Sequence, residues 1–243
     1  MPGSIIARAL SHVGSLFPLP DADPEARATI RRVKPYTMTS PERIFSVIQA
    51  ARYIVSAGIA GEIVECGVWR GGSMMAAALT LAQLGRLDLP MRLFDTYEGM
   101  SAPTAADVDI TGRPASRRFA RARRGQGSTW CKASIEDVQA NMASTGYDMR
   151  RVQLVKGKVE DTIPARAPEA ISLLRLDTDW YESTRHELLH LYPRLSRGGV
   201  LIIDDYGYWQ GSRQATDEFF ASAGVTMLLN RVDYTGRVGV KLA

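Results

Sequence analysis

Short apolar runs alternate with stretches of helical periodicity along most of the chain. Residues 63–66, 91–94, 152–155, 171–176 and 200–203 are largely apolar and too short for helices, which predicts buried strands. Between the runs, Ile44, Phe45, Val47, Ile48, Ala51, Ile54 and Val55 keep helical spacing behind Ser40 and Pro41, a capping side chain and a first-turn proline. Helices are likewise predicted over 74–84, 134–142, 181–195 and 212–223, with Gly198-Gly199 stopping the third of these. Strands over 226–232 and 237–242 flank a turn at 233–236, so the sheet should end in an antiparallel hairpin. Residues 171–203 form a strand–helix–strand unit of the length that a parallel crossover needs. The pattern predicts a doubly wound α/β sheet, mostly parallel.

Ahead of this body, residues 4–17 place Ile5, Ile6, Ala9, Leu10, Val13, Leu16 and Phe17 on one helical face, and 24–32 read as a second short helix. Too few basic residues oppose the first face for a membrane-surface helix. It is expected to pack on the body or on a second subunit, in a homo-oligomer of two or more chains. Residues 1–35 are thus a helical N-terminal arm on a single domain spanning 1–243. Residues 101–130 break the alternation with Arg113, Arg117, Arg118, Arg121, Arg123 and Arg124 among prolines and glycines. Such an insertion beside a strand end suggests a lid, although the arginines alone equally suit a solvated loop.

Composition narrows the class. With 243 residues, 45% of them apolar, the chain can bury one full core. Two cysteines, Cys66 and Cys131, are too few for a disulfide framework and point to the cytoplasm. No apolar run reaches membrane-spanning length, and Arg8 interrupts the one apolar stretch near the start. A net charge of +4 is too mild to imply a nucleic-acid partner.

The candidate chemistry sits at strand ends. The strand at 171–176 runs into Asp177 and Asp179, and the strand at 200–203 into Asp204 and Asp205. If the two strands are neighbours, four acids crowd together where open α/β sheets bind ligands. They would repel unless a cation sat among them, and oxygen donors without Cys or His suit Mg2+ better than Zn2+. Residues 61–73, GEIVECGVWRGGS, give a strand, a glycine turn and a helix N-terminus, which together suit an anionic group. Asp95 ends the next strand, placed to accept hydrogen bonds from ribose hydroxyls. Each feature also has a plain structural reading as a cap or a solvated strand end. One motif pulls elsewhere: residues 186–190, HELLH, match the zinc-protease pattern, with Glu187 as a possible base for a hydrolase. With His12 the only other histidine and the leucines suited to packing on the sheet, the match reads as coincidence.

The segments VECGVWRGGS, LFDTYEGM, RLDTDWYEST and LIIDDY, followed by GSRQATDEFF, resemble the macrocin/mycinamicin/novobiocin-type O-methyltransferases. The resemblance runs from about Tyr36 to Phe220 and implies a Rossmann-like class I methyltransferase fold. It further implies O-methylation, dependent on S-adenosyl-L-methionine and Mg2+, of a sugar hydroxyl on a glycosylated secondary metabolite. A catechol or other phenolic diol is the alternative acceptor, since the layout also resembles catechol O-methyltransferase. Carried over by position, Asp177, Asp204 and Asp205 would hold Mg2+, and Asp179 would be the general base. Glu65, Gly67 and Ser73 would lie at the methionine end of the cofactor, Asp95 at its ribose, and Val159, Glu160 and Asp161 at its adenine, with Val68 and Asp177 also among the cofactor-binding residues. Met38, in the YTMT loop, would pack near the sulfonium.

Overall fold

The structure is a computed structural model and describes residues 19–124 and 127–242. The helix expected over 4–17 lies outside the described residues. The chain then forms α1 (Pro24–Val33), α2 (Pro41–Ser56), β1 (Glu62–Cys66), α3 (Gly72–Gln83) and β2 (Met91–Asp95). The insertion follows, with α4 (Ala115–Ala122) and a small hairpin of β3 (Arg123–Arg124) and β4 (Gly127–Ser128). Beyond it come α5 (Ile135–Ala143), β5 (Val152–Lys156), α6 (Val159–Thr162), β6 (Ile171–Leu176), α7 (Tyr181–Leu191), β7 (Leu195–Ile203), α8 (Gln210–Ser222), β8 (Asn230–Arg231) and β9 (Arg237–Val240).

Seven strands make one sheet in the order β5-β2-β1-β6-β7-β9-β8. The first five are parallel, and β9 pairs antiparallel with both β7 and β8. From β1 the chain steps outward to β2 and β5, then returns to the other side of β1 for β6 and β7. Strand order therefore reverses between β1 and β6, where parallel sheets leave a crevice at their carboxyl ends. No described helix is long and apolar enough to cross a membrane.

Side chains alternate along each strand, so the sheet buries two faces. Ile63, Leu173, Val200 and Ile202 pack on one face with α1, α2 and α3. Val64, Cys66, Leu174, Leu176 and Leu201 pack on the other, against Leu188 and Leu191 of α7. α3 is buried all round from Gly72 to Leu81, which explains its uniformly small and apolar sequence.

Two boundaries differ from the sequence pattern. The helix predicted to reach residue 195 ends at Leu191, and a 3-10 turn over Tyr192–Arg194 carries Pro193, which cannot donate within a helix. Gly198-Gly199 lie inside β7 instead of stopping the helix: the register with β6 slips between Ile171↔Leu195 and Leu173↔Val200, and Gly198 takes up the bulge at φ +79°. The strand predicted over 226–232 shrinks to Asn230–Arg231. Asn230 pairs with Val238 and Arg231 with Arg237, while just before them Met227 and Leu228 press on Gly239, where a Cβ would stand 2.6 Å from the Met227 sulfur, and make no ladder pair.

Candidate active site

The carboxyl ends of β1, β2, β6 and β7 open onto one cavity of about 340 Å³. Its near wall is built from the glycine loop after β1. Gly67 is required there, because at φ +83° a Cβ would stand 2.0 Å from the Asp177 carbonyl oxygen. Gly71 caps α3 in the left-handed conformation. Gly72 lets the Tyr36–Thr37 backbone lie against the helix start, with only 2.6 Å from a hypothetical Cβ to the Tyr36 oxygen. Asp95 ties this loop to β2: Val68 and Trp69 N–H donate to its Oδ2 at 2.7 and 3.1 Å, and Tyr97 N–H donates to its Oδ1 at 2.8 Å.

The far wall is acidic, and the residue that organises it is Arg175. Alternation puts Arg175 on the same face as Leu173, while pairing sets it beside Glu65 on β1. At 1% side-chain exposure, its Nη1 donates to Glu65 Oε1 at 2.6 Å and to Asp177 Oδ2 at 2.7 Å. Its Nη2 donates to Thr39 Oγ1 at 3.3 Å and to Asp204 Oδ1. Arg43 of α2 donates to the other Asp204 oxygen and, through Nε, to Asp233 Oδ2 at 3.0 Å. In front of this framework, oxygens of Asp177, Asp179 and Asp205 lie within 4.8 Å of one another.

Burial dominates the electrostatics. It pushes the Glu65 carboxyl up to about 7, against the pull of Arg175. It raises Asp177 and Asp205 well above the usual carboxylate range, and their acidic neighbours push the same way. Asp179 rises to about 7 through burial first, although hydrogen bonds from Asp205 and the Trp209 indole oppose the rise. Asp205 Oδ2 is buried without a hydrogen-bond partner among the described residues. Asp179 also holds a left-handed backbone at φ +71°, uncommon for a residue with a side chain and characteristic of functional sites. The other such residues among those described, Trp69, Tyr97 and Cys131, border the cavity or its Asp95 corner.

Most of the expected site residues meet here. Met38, Gly67, Val68, Ser73, Asp95, Val159, Glu160, Asp177, Asp179, Asp204 and Asp205 all line the cavity. Glu65 and Asp161 do not: Glu65 lies behind the wall with Arg175, and Asp161 is exposed on the outer side of α6. The HELLH segment is structural. Glu187 is fully buried and accepts from Thr178 Oγ1 at 2.9 Å, while His186 Nε2 donates to the Ile163 carbonyl at 2.9 Å. Among the described residues, neither histidine joins a group of potential metal ligands.

Three features escaped the sequence reading. Arg43 and Arg175 balance the acids. Trp130, Trp180 and Trp209 form a cluster with ring centroids 5.0–6.1 Å apart, and Trp130 and Trp209 of it line the cavity. Asp107, fully buried in the insertion, accepts the Tyr181 N–H at 2.8 Å and so caps α7 from a distance. Together with the Trp180 indole donating to the Ser101 carbonyl at 3.1 Å, this anchors the insertion to the body.

The macrocin O-methyltransferase (TylF) family matches residues 20–239. The chain is 30% identical over 217 residues to 8-demethyl-8-(2,3-dimethoxy-alpha-L-rhamnosyl)-tetracenomycin-C 4'-O-methyltransferase of Streptomyces olivaceus, covering 89% of this chain and 80% of that one. It is 30% identical over 203 residues to demethyldecarbamoylnovobiocin O-methyltransferase of Streptomyces niveus, with 83% and 74% covered. The solved structure of the O-methyltransferase NovP superposes with a TM-score of 0.75 at 28% identity, covering 86% of this chain and 83% of that one. With the family matched over nearly the whole described length and relatives at this level of identity, the chain belongs to the macrocin O-methyltransferase family and is a methyltransferase.

Proposed function

We propose that the protein transfers the methyl group of S-adenosylmethionine to a sugar hydroxyl of a glycosylated natural product, with Mg2+ held at the acid cluster. One observation carries this reading: a glycine-loop pocket with its strand-end acid opens into the same cavity as three converging carboxylates. The named activities of the relatives, on a rhamnosyl-tetracenomycin and on a novobiocin precursor, support the acceptor class.

The residues fit both groups. Asp95 is held by three N–H groups beside the loop, in position for a ribose. Gly67, Val68, Ser73 and Met38 would flank the methionine end, and Val159 and Glu160 the adenine. Glu65 would act one step back, through Arg175 on Asp177. Crowded buried carboxylates repel unless a proton or cation lies between them, and the unpartnered Asp205 oxygen points to such a need. Asp177 and Asp205, with Asp204 behind them, would hold the ion. When bound, S-adenosylmethionine supplies the methyl group and Mg2+ acidifies a hydroxyl.

Asp179 accepts the proton of that hydroxyl. Burial that pushes this carboxylate up to about 7 suits it to act as a general base at neutral pH. The tryptophan cluster excludes water from the reacting atoms, and the insertion, which contributes Ser101, Arg118 and Trp130 to the wall, covers the acceptor. The convergence of Asp179 with Asp177 and Asp205 favours a second assignment, with Asp179 as third ligand and Asp204 left to its arginines.

Incubation with S-adenosylmethionine, Mg2+ and a panel of glycosylated metabolites and catechols, read by mass spectrometry, tests the proposal. A methyl gain that fragmentation places on a sugar is the expected result. Methylation of catechols with none of any glycoside would move the acceptor class to phenolic diols.

A further inference from the structure

Beside the main cavity lies a second recess of about 370 Å³, and the two share Met38, Trp69, Arg118, Trp130 and Cys131. An acceptor seated in the main cavity therefore lies beside the recess. The two differ in charge. The main cavity is floored by Asp177, Asp179, Asp204 and Asp205, whereas no acid lines the recess, and Arg118 and Lys132 both do. Among the described residues neither cation has an ion-pair partner. Glu98, the acid that feels Lys132, is already paired with Lys156 at 2.8 Å.

The Arg118 guanidinium lies 4.2 Å over the ring of buried Trp130. Stacking of this kind fixes the plane of the guanidinium and leaves its N–H edge free for a planar or tetrahedral anion. Cys131 stands between the two regions: burial, then Asp179 and Asp177, push its thiol up to about 12, while Arg118 pulls the other way. Cys131 thus lines both the acid-floored cavity and the cationic recess.

We propose that the acceptor carries an anionic group, a carboxylate or a phosphate, close to the sugar that is methylated, and that Arg118 and Lys132 receive it in this recess. The inference rests on the proposed sugar methylation for the position of the sugar, and its first test does not. Inorganic pyrophosphate and glucuronate are titrated calorimetrically into the full-length protein with S-adenosylhomocysteine bound, for wild type, Arg118→Gln and Lys132→Gln. Wild type should bind at least one of them, and each variant should bind it roughly tenfold more weakly with its affinity for S-adenosylhomocysteine kept. Tighter binding of pyrophosphate assigns a sugar phosphate or nucleotide sugar; tighter binding of glucuronate assigns a carboxylate-bearing glycoside. Arg118→Lys, which keeps the charge and loses the fork, should fall between wild type and Arg118→Gln.

In turnover, both glutamine variants should raise KM for an anionic acceptor roughly tenfold more than KM for the matching neutral glycoside. No binding of either anion to wild type, or equal affinity in wild type and both variants, would overturn the proposal. Anion binding lost in the variants, with no glycoside of any charge methylated, would instead count against the proposed function and leave the recess standing.

Discussion

Five carboxylates and two guanidiniums meet at the heads of β1, β6 and β7: Glu65, Asp177, Asp179, Asp204 and Asp205 with Arg43 and Arg175. Arg175 is wholly enclosed, and removing one partner of a buried ion pair costs about 3–5 kcal/mol. Its role is to hold Glu65, Asp177 and Asp204 in place, which leaves the front of the cluster to Asp177, Asp179 and Asp205. Within that front, ligand and base can be separated by experiment. Asp177→Asn should weaken Mg2+ binding, with activity partly restored at high metal, since an amide oxygen is a poorer ligand. Asp179→Asn should leave metal affinity near normal and lower kcat by roughly 10²–10⁴. Raising the pH should rescue the second variant in part, because hydroxide can replace a base but not a ligand. If activity against Mg2+ and pH follows the same curves in both variants, Asp179 is a ligand and the base lies elsewhere.

The elements explain why these residues meet. β1 and β6 are neighbours, and their alternation sets Glu65 beside Arg175 on the face that α1, α2 and α3 cover. This was legible in principle: the lone arginine of ISLLRL and the inner glutamate of EIVEC, Glu65, need each other once the strands pair. It escaped notice because strand order is not written in any one segment. The glycines divide in the same way. Gly67 and Gly71-Gly72 mark a turn and a helix start, as their flanking pattern predicts. Gly198-Gly199 look like a helix stop, yet Pro193 ends α7 first and the pair serves a bulge. The contact at Gly72 is testable. A methyl there would meet the Tyr36 carbonyl at 2.6 Å and Thr37 Cβ at 2.7 Å, both in the loop that carries Met38. Gly72→Ala should push that loop aside and weaken S-adenosylhomocysteine binding by roughly tenfold, about 1.4 kcal/mol by calorimetry. Unchanged affinity would mean that the loop does not border the cofactor.

At the scale of the whole molecule, the reversal of strand order between β1 and β6 places the glycine-loop pocket and the acid cluster side by side. The doubly wound sheet, and the meeting of its strand-end residues at one cavity, were readable from apolar runs and the residues that end them. HELLH was readable only as a pattern: helical packing turns Glu187 into the core toward Thr178 and Cys66, and a five-residue match carries no information about that. The tryptophan cluster joins Trp130, Trp180 and Trp209 from three separate segments, which no local spacing could announce. Methyl transfer is proposed to depend on a divalent cation held at the acid cluster. That dependence is tested most directly by turnover of an identified glycoside after metal is stripped with EDTA and Mg2+ is then titrated back. Activity should vanish on stripping and return saturably with Mg2+ while binding of S-adenosylhomocysteine barely changes. Full activity in EDTA would contradict it.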